Sequence, residues 1–247
     1  MVYDSHCHYE AFQTNPTFNL TVIPSVTLAD IEPLVALRNK YTQIKIGFGI
    51  HPWAIAEQES LPLSMQRLDA AIEKFKPDFI GEIGLDKLKP NFALQQEYFT
   101  SQVALAKIYN LPIIIHCLHA YNELMQIIEK NNFIRPNLGI IHAYNNNEII
   151  AAKLIRMGFY LGVGALIGQQ SKLSKCIKLL PPEKLVIESD APYNKWNFER
   201  QGNTNDCFLY AQILTIKLNS HLLDMINKLN DNLQGFFKCS KNYNKLL

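Results

Sequence analysis

Short, apolar, β-branched runs recur along this chain with amphipathic stretches between them, and that alternation narrows the fold more than any other feature. The runs are Val2–Ser5, Leu20–Val26, Gln43–Ile50, Phe79–Ile83, Pro112–His116, Leu138–His142, Phe159–Val163 and Leu185–Ser189. Strands covered on both faces read as near-continuous apolar runs, which is the mark of a parallel sheet. About eight such strands within 247 residues predict an α/β fold, a (β/α)8 TIM-type barrel. No linker or break in composition divides the chain, so a single domain over residues 1–247 is expected.

The stretch Leu94–Tyr109 has Tyr98, Phe99, Ala106 and Tyr109 on one helical face, with Gln95 and Gln102 inside the same stripe. Buried amides need partners, so both glutamines are predicted to tie the helix to neighbouring backbone. Asp206 and Ser220 read as N-caps of helices over Cys207–Leu218 and His221–Leu229.

In such a barrel the active site lies at the C-terminal ends of the strands. Metal-type ligands stand there: His6 and His8 on the first strand, Glu82 on the fourth, His116 on the fifth, His142 on the sixth, and Glu188-Ser189-Asp190 on the eighth. Side chains alternate along a strand, so His6 and His8 share one face while Ser5 and Cys7 take the other. Four neutral imidazoles and two carboxylates can hold two divalent cations, with Glu82 as the bridge. Two cations lower the pKa of a shared water, which supplies hydroxide at neutral pH. Mixed nitrogen and oxygen ligands do not select among zinc, manganese, cobalt and magnesium.

Asp4-Ser5-His6-Cys7-His8, Gly49-Ile50-His51-Pro52, Gly81-Glu82-Ile83-Gly84-Leu85-Asp86, Leu111-Pro112 leading to His116, Ile141-His142-Ala143-Tyr144 and Glu188-Ser189-Asp190-Ala191-Pro192 resemble, in that order, the TatD family of metal-dependent deoxyribonucleases. That family belongs to the amidohydrolase-type barrels. The resemblance runs to about Tyr193 and more faintly to Asn232 and Phe237. It implies hydrolysis of DNA phosphodiesters with two divalent metal ions (Mg, Mn or Zn). His6, His8, Glu82 and Asp190 would surround one ion, and Glu82, His116 and His142 the other. Glu82 and Asp190 would be catalytic, with Asp190 orienting or deprotonating the attacking water.

Two departures bear on the substrate. Leu118 stands where the family usually has an arginine, and leucine cannot hold a phosphate oxygen. The loop Tyr193–Asn205 has its own composition, in which Lys195, Trp196 and Arg200, together with His51 after the third strand, are candidate substrate-binding residues.

A formal charge of +2 argues against a broad basic nucleic-acid surface, so any DNA contact should be local. The five cysteines are odd in number and form no C-x-x-C pair, which fits reduced thiols in a cytoplasmic protein, and Cys7 and Cys117 are expected to pack rather than coordinate. No run approaches a membrane span, and no protein partner is implied. His119 reads as a surface residue rather than a stand-in for the arginine replaced by Leu118 and His221 as structural, Lys87 and Lys89 as either phosphate-pairing or merely solvated, and Gly162, Gly164 and Gly168 as sites of strand-end flexibility or close backbone approach. Two alternatives remain beside the nuclease: hydrolysis of a small ester, lactone or amide, which the Leu118 departure motivates, and a catalytically silent binding or scaffold barrel.

Overall fold

Seven of the eight apolar runs form one parallel sheet. The computed structural model describes residues 1–14, 19–57, 59–196 and 200–242. The strands are β1 (Thr21–Pro24), β2 (Ile44–Phe48), β3 (Phe79–Asp86), β4 (Ile113–Leu118), β5 (Gly139–Ile141), β6 (Phe159–Val163) and β7 (Leu185–Ile187), each paired in parallel with the next. Parallel neighbours need crossovers, and helices supply most of them. After α1 (Tyr9–Thr14), which precedes β1, these are α2 (Ile31–Lys40), α3 (Leu61–Phe75), α4 (Phe92–Ile108), α5 (Tyr121–Lys130), α6 (Glu148–Met157) and α7 (Lys172–Cys176), followed by α8 (Asp206–Leu218) and α9 (Leu222–Asn242). A short antiparallel ribbon, β8 (Lys195–Trp196) with β9 (Arg200–Gln201), follows β7. Among the described residues no helix is long and apolar enough to cross a membrane.

The sheet has two apolar faces. One packs on the helices in a large cluster that also takes in Cys7 and Cys117, as their position in the alternation predicts. The other gathers Val22, Ile114, Ile140 and Val186 against Leu233 and Phe236 of α9. That plug leaves the strand C-termini for polar groups.

The expected first strand is corrected by the structure. Residues 2–5 form no ladder strand, only one parallel bridge, Asp4 with Thr21. The physical reason is that successive amides bond in two directions. Asp4 N–H donates to Leu20 O at 3.0 Å and Cys7 N–H to Val22 O at 3.1 Å, whereas Ser5 N–H donates to Ile187 O at 2.8 Å. Asp4 also folds its carboxylate back to accept from His6 N–H at 3.1 Å and from Ser189 N–H and Oγ–H at 3.0 and 2.6 Å. The segment therefore bonds to both edge strands of the sheet without being a regular member of it.

The two glutamines of α4 behave as predicted. Gln102 accepts from Ile50 N–H at 2.7 Å and donates to Ile50 O at 3.2 Å, while Gln95 makes the same pair with Asp86, at 2.8 and 3.1 Å. Each holds backbone immediately beside the strand-end residues. The late helices start differently from expectation: Asn205 is the residue before α8, with Asp206 inside it, and α9 begins beyond Ser220 and runs well past Leu229. Polar residues beyond Leu229 are tertiary ties, since Asn230 accepts from Tyr3 N–H and Asn232 donates to Leu185 O.

Replacing Gln102 by leucine keeps the volume but strands the Ile50 amide and carbonyl in the interior. Unfolding in urea should show a loss of about 2–4 kcal/mol; an unchanged midpoint and slope would contradict this account of α4.

Candidate metal centre

The strand ends deliver their side chains to one small volume. A register shift between β3 and β4 sets the position of Glu82, because Ile80 pairs with Ile113 but Ile83 with Ile115, leaving an extra residue on β3. Such a bulge re-aims the side chain it carries. Gly84 permits this close packing: at its φ of +152° a Cβ would lie 1.9 Å from His116 O. Glu82 is thereby turned inward and is 2% exposed.

Three imidazoles meet it. His6 Nε2 lies 3.3 Å from Glu82 Oε2, while His51 Nε2 and His116 Nδ1 lie 3.5 and 3.4 Å from Oε1. Asp190 forms the second focus, with His8, His142 and His6 Nε2 atoms at 3.3, 3.6 and 3.8 Å from its Oδ1. His6 joins the two, since its ring stacks on His142 with centroids 3.8 Å apart and its Nε2 is 3.4 Å from that of His8. The closely spaced ligand atoms group as His6, His8 and Asp190; His6, Glu82 and His142; and His51, Glu82 and His116. His142 thus keeps company with His6 more closely than with His116, whose ring centroid is 6.4 Å away.

Burial disfavours charge on all these groups, and neighbours decide the outcome. Burial wins at His6 and His51, which are pulled below the ordinary histidine value. At Glu82 burial pushes upward, but His6 and His51 outweigh it and hold the carboxyl well below its usual range. Asp190 is likewise lowered, by His142 and His8 against burial. His8 and His116 are raised against burial, His8 by Asp190 and His116 by Asp86 and Glu82. Burial lowers His142 too, yet Glu188 and Asp190 carry it up to about 10.

A second ring of acids, absent from the site expected above, orients the imidazoles. Glu188 Oε1 lies 3.0 Å from His142 Nδ1 and accepts Ala143 N–H at 2.6 Å. Its other oxygen presses on β6, where a Cβ on Gly162 would stand 2.1 Å from Oε2, so this glycine serves close approach as predicted. Asp86 Oδ2 sits 3.6 Å from His116 Nε2. Neither outer nitrogen makes a hydrogen bond among the described residues, so each acid acts there as a facing charge that favours the hydrogen on the outer nitrogen and the lone pair toward the centre. His51 is built the other way. Trp53 N–H donates to its Nδ1 at 3.2 Å, so the neutral ring carries its hydrogen on Nε2 and points a donor at Glu82. Asp190 and Ala143 hold left-handed backbone, φ 49° and 44°, a strain that persists where surroundings over-determine it.

A cleft of about 220 Å³ opens over Glu82, His8, His51, His116, His142 and Asp190, rimmed by Val26, Trp53 and Tyr193. No lysine, arginine or Leu118 lines it among the described residues. Lys195, Trp196 and Arg200 lie on the β8–β9 ribbon, and their side chains fall outside the described residues. His119 is exposed, and exposed His221 lies 3.8 Å from Asp224 at the start of α9, in keeping with surface and structural roles.

The family model for TatD related DNase matches residues 3–238. The chain belongs to the TatD family. It is 28% identical over 219 residues to the uncharacterized metal-dependent hydrolase YjjV of Escherichia coli, covering 81% of this chain and 83% of that one. It is 27% identical over 187 residues to the 3′-5′ ssDNA/RNA exonuclease TatD of Escherichia coli, covering 71% and 68%. The crystal structure of YjjV superposes with a TM-score of 0.86 at 24% identity, over 96% of this chain and 98% of that one. The protein is a metal-dependent hydrolase of this family with an α/β fold.

The donor chemistry of this TatD protein fits divalent cations. Glu82, Glu188, Asp190 and Asp4 are ionisable carboxyls at the site, and no lysine or arginine among the described residues lies within ion-pair distance of them. Imidazoles and carboxylates with no lysine or arginine beside them are the ligand set that cations complete. Glu188 and Asp86 were missed because each reads in sequence as part of a ligand motif; the usable signal was their spacing, two residues before Asp190 and four after Glu82, which keeps them on the ligand side of the strand.

Protons and cations compete for the same nitrogens. Without metal, His142 is protonated at pH 7 because its pKa is raised to about 10, and a ligating imidazole must be neutral. Titrating zinc or manganese into metal-free protein in weak buffer should acidify the solution. Affinity should climb with pH from 7 toward 10, by about tenfold per unit for each proton displaced. Metal uptake that neither releases protons nor depends on pH in this window would contradict the charge assignment.

Proposed function

We propose that this protein hydrolyses phosphodiester bonds of DNA with two divalent cations, Mg, Mn or Zn, on a single barrel domain spanning residues 1–247 in which residues 4–7 serve as the eighth stave. His6, His8, Glu82 and Asp190 would hold one cation and Glu82, His116 and His142 the other, with His142 reaching in from beside His6. The observation that carries this reading is the convergence of these donor atoms around two carboxylate foci under one open cleft. The likeness to the 3′-5′ ssDNA/RNA exonuclease TatD of Escherichia coli supports nucleic acid as substrate.

When bound, the cations lower the pKa of water and neutralise charge on a phosphoryl oxygen. The remaining work belongs to side chains. Asp190 orients the attacking water and takes its proton, held for that task by His8 at 3.3 Å and by its left-handed backbone. Glu82 bridges the two halves of the site. Were cations to take Glu82, the single N–H of His51 would turn from that carboxylate to a substrate oxygen, a contact that offsets the arginine replaced by Leu118. Glu188 and Asp86 keep His142 and His116 in the ligating tautomer. Lys195, Trp196 and Arg200 contribute substrate contacts from the ribbon.

The missing guanidinium also favours a second reading, in which the same centre opens an ester, lactone or amide. A panel of single-stranded DNA, duplex DNA, carboxyl esters and amides, each with chelator and with added Mg, Mn or Zn, separates the two. Clear preference for phosphodiesters supports the first; metal-independent cleavage contradicts both. Metal analysis addresses the scaffold alternative, since a folded protein that takes up no divalent cation cannot work this way.

On the preferred substrate, Asp190→Asn should lower turnover by about 10²–10⁴-fold. Glu188→Gln, which touches no substrate, should cost about 10–100-fold in metal affinity or activity. Full activity in either variant would refute the corresponding role.

A further inference from the structure

At the rim of the cleft stands Trp53, 53% exposed. A surface aromatic is ordinarily free to change rotamer, but this one is pinned. Its indole N–H donates to Asp86 Oδ2 at 2.7 Å, and Asp86 is fully buried. The ring therefore stands edge-on to His51 and His116, with centroids 5.2 and 5.6 Å away. Trp53 also lines a second cleft, of about 70 Å³, with Pro52, Lys89 and Pro90, so the indole forms a wall shared with the metal cleft.

Lys89 Nζ lies 4.3 Å from the Trp53 ring centroid and, among the described residues, has no carboxylate within ion-pair distance. The neighbouring Lys87 differs, being engaged by Glu123 at 2.5 Å. A buried carboxylate thus fixes an exposed π-face beside the site, and an uncommitted ammonium rests upon it.

We propose that Trp53 and Lys89 form a subsite for the nucleotide adjoining the cleaved phosphodiester, with the nucleobase stacked on the indole and Lys89 paired with a backbone phosphate. This rests on the nucleic-acid reading given above. A cation on an exposed ring is held less strongly than a stacked base, so the base takes the face and frees the ammonium for phosphate. Every base has a π-face, which makes the subsite tolerant of sequence, and the base must be unpaired to reach it, which selects single strands. The subsite also supplies, from the β3–α4 connection, a cation that the position of Leu118 does not.

The test separates binding from cleavage. Affinity for a labelled, cleavage-resistant phosphorothioate strand of about ten nucleotides is measured by anisotropy on magnesium-loaded protein. Trp53→Ala should weaken binding about tenfold, while Trp53→Phe, which keeps a stacking face but lacks the N–H, should stay within about threefold of wild type. Lys89→Ala should make the slope of log Kd against log salt shallower by about 0.7. The chain has two tryptophans, so the Trp53 signal is the emission that wild type has and Trp53→Phe lacks, and it should be quenched as the strand saturates. Unquenched emission, an unchanged salt slope, or equal affinity of wild type and a folded Trp53→Ala overturns the subsite. If Trp53→Ala fails to fold, quenching and the Lys89→Ala slope decide. Hydrolysis of the unmodified strand is scored separately: cleavage with Trp53-independent binding removes the subsite alone, whereas Trp53-dependent binding without cleavage removes only the nuclease reading.

Discussion

A carboxylate taken out of water must find positive charge or give up its own, because the penalty for an isolated buried ion is several kcal/mol. Glu82 is in that position, and the strand ends around it are arranged as an answer. His6, His51 and His116 reach it from three separate segments, and their combined attraction outweighs burial enough to keep it ionised. Imidazoles alone are a compromise. Those that ligate must be neutral to offer a lone pair, so the charge balance of the centre is completed only by cations.

Around this core the protein spends more acidic groups. Glu188, Asp86 and Asp4 are all buried, and each holds another part of the site: an imidazole, an imidazole, and the backbone on either side of His6 and Ser189. A layer that binds ligands to backbone makes the geometry stiff before any substrate arrives, and stiffness at the level of a fraction of an ångström is what such chemistry requires. The glutamines of α4 extend the same design outward, fixing the peptide units next to His51 and at Asp86 from behind.

Much of this was legible in the sequence, for definable reasons. Strands buried on both faces advertise themselves as apolar runs, and the residues ending them were the ones that converge, including His6, His8, Glu82, His116, His142 and Asp190. The first run misled because composition cannot show where successive amides will bond, and Asp4 bends residues 4–7 between two edges. The neighbours of His142 were equally hidden, since which rings stack depends on sheet curvature and on the β3 bulge. His51 could be placed on the active face from sequence; its tautomer could not, as that follows from the Trp53 amide.

The tie between Asp4 and Ser189 joins residues 185 apart in the chain. His6 and His8 are synthesised well before their partner Asp190, which lies far further along the chain. A growing chain therefore exposes half a metal site long before it owns the other half. Tight capture of cations is therefore a property of the finished sheet, in which ligands from the two ends of this span are first brought together.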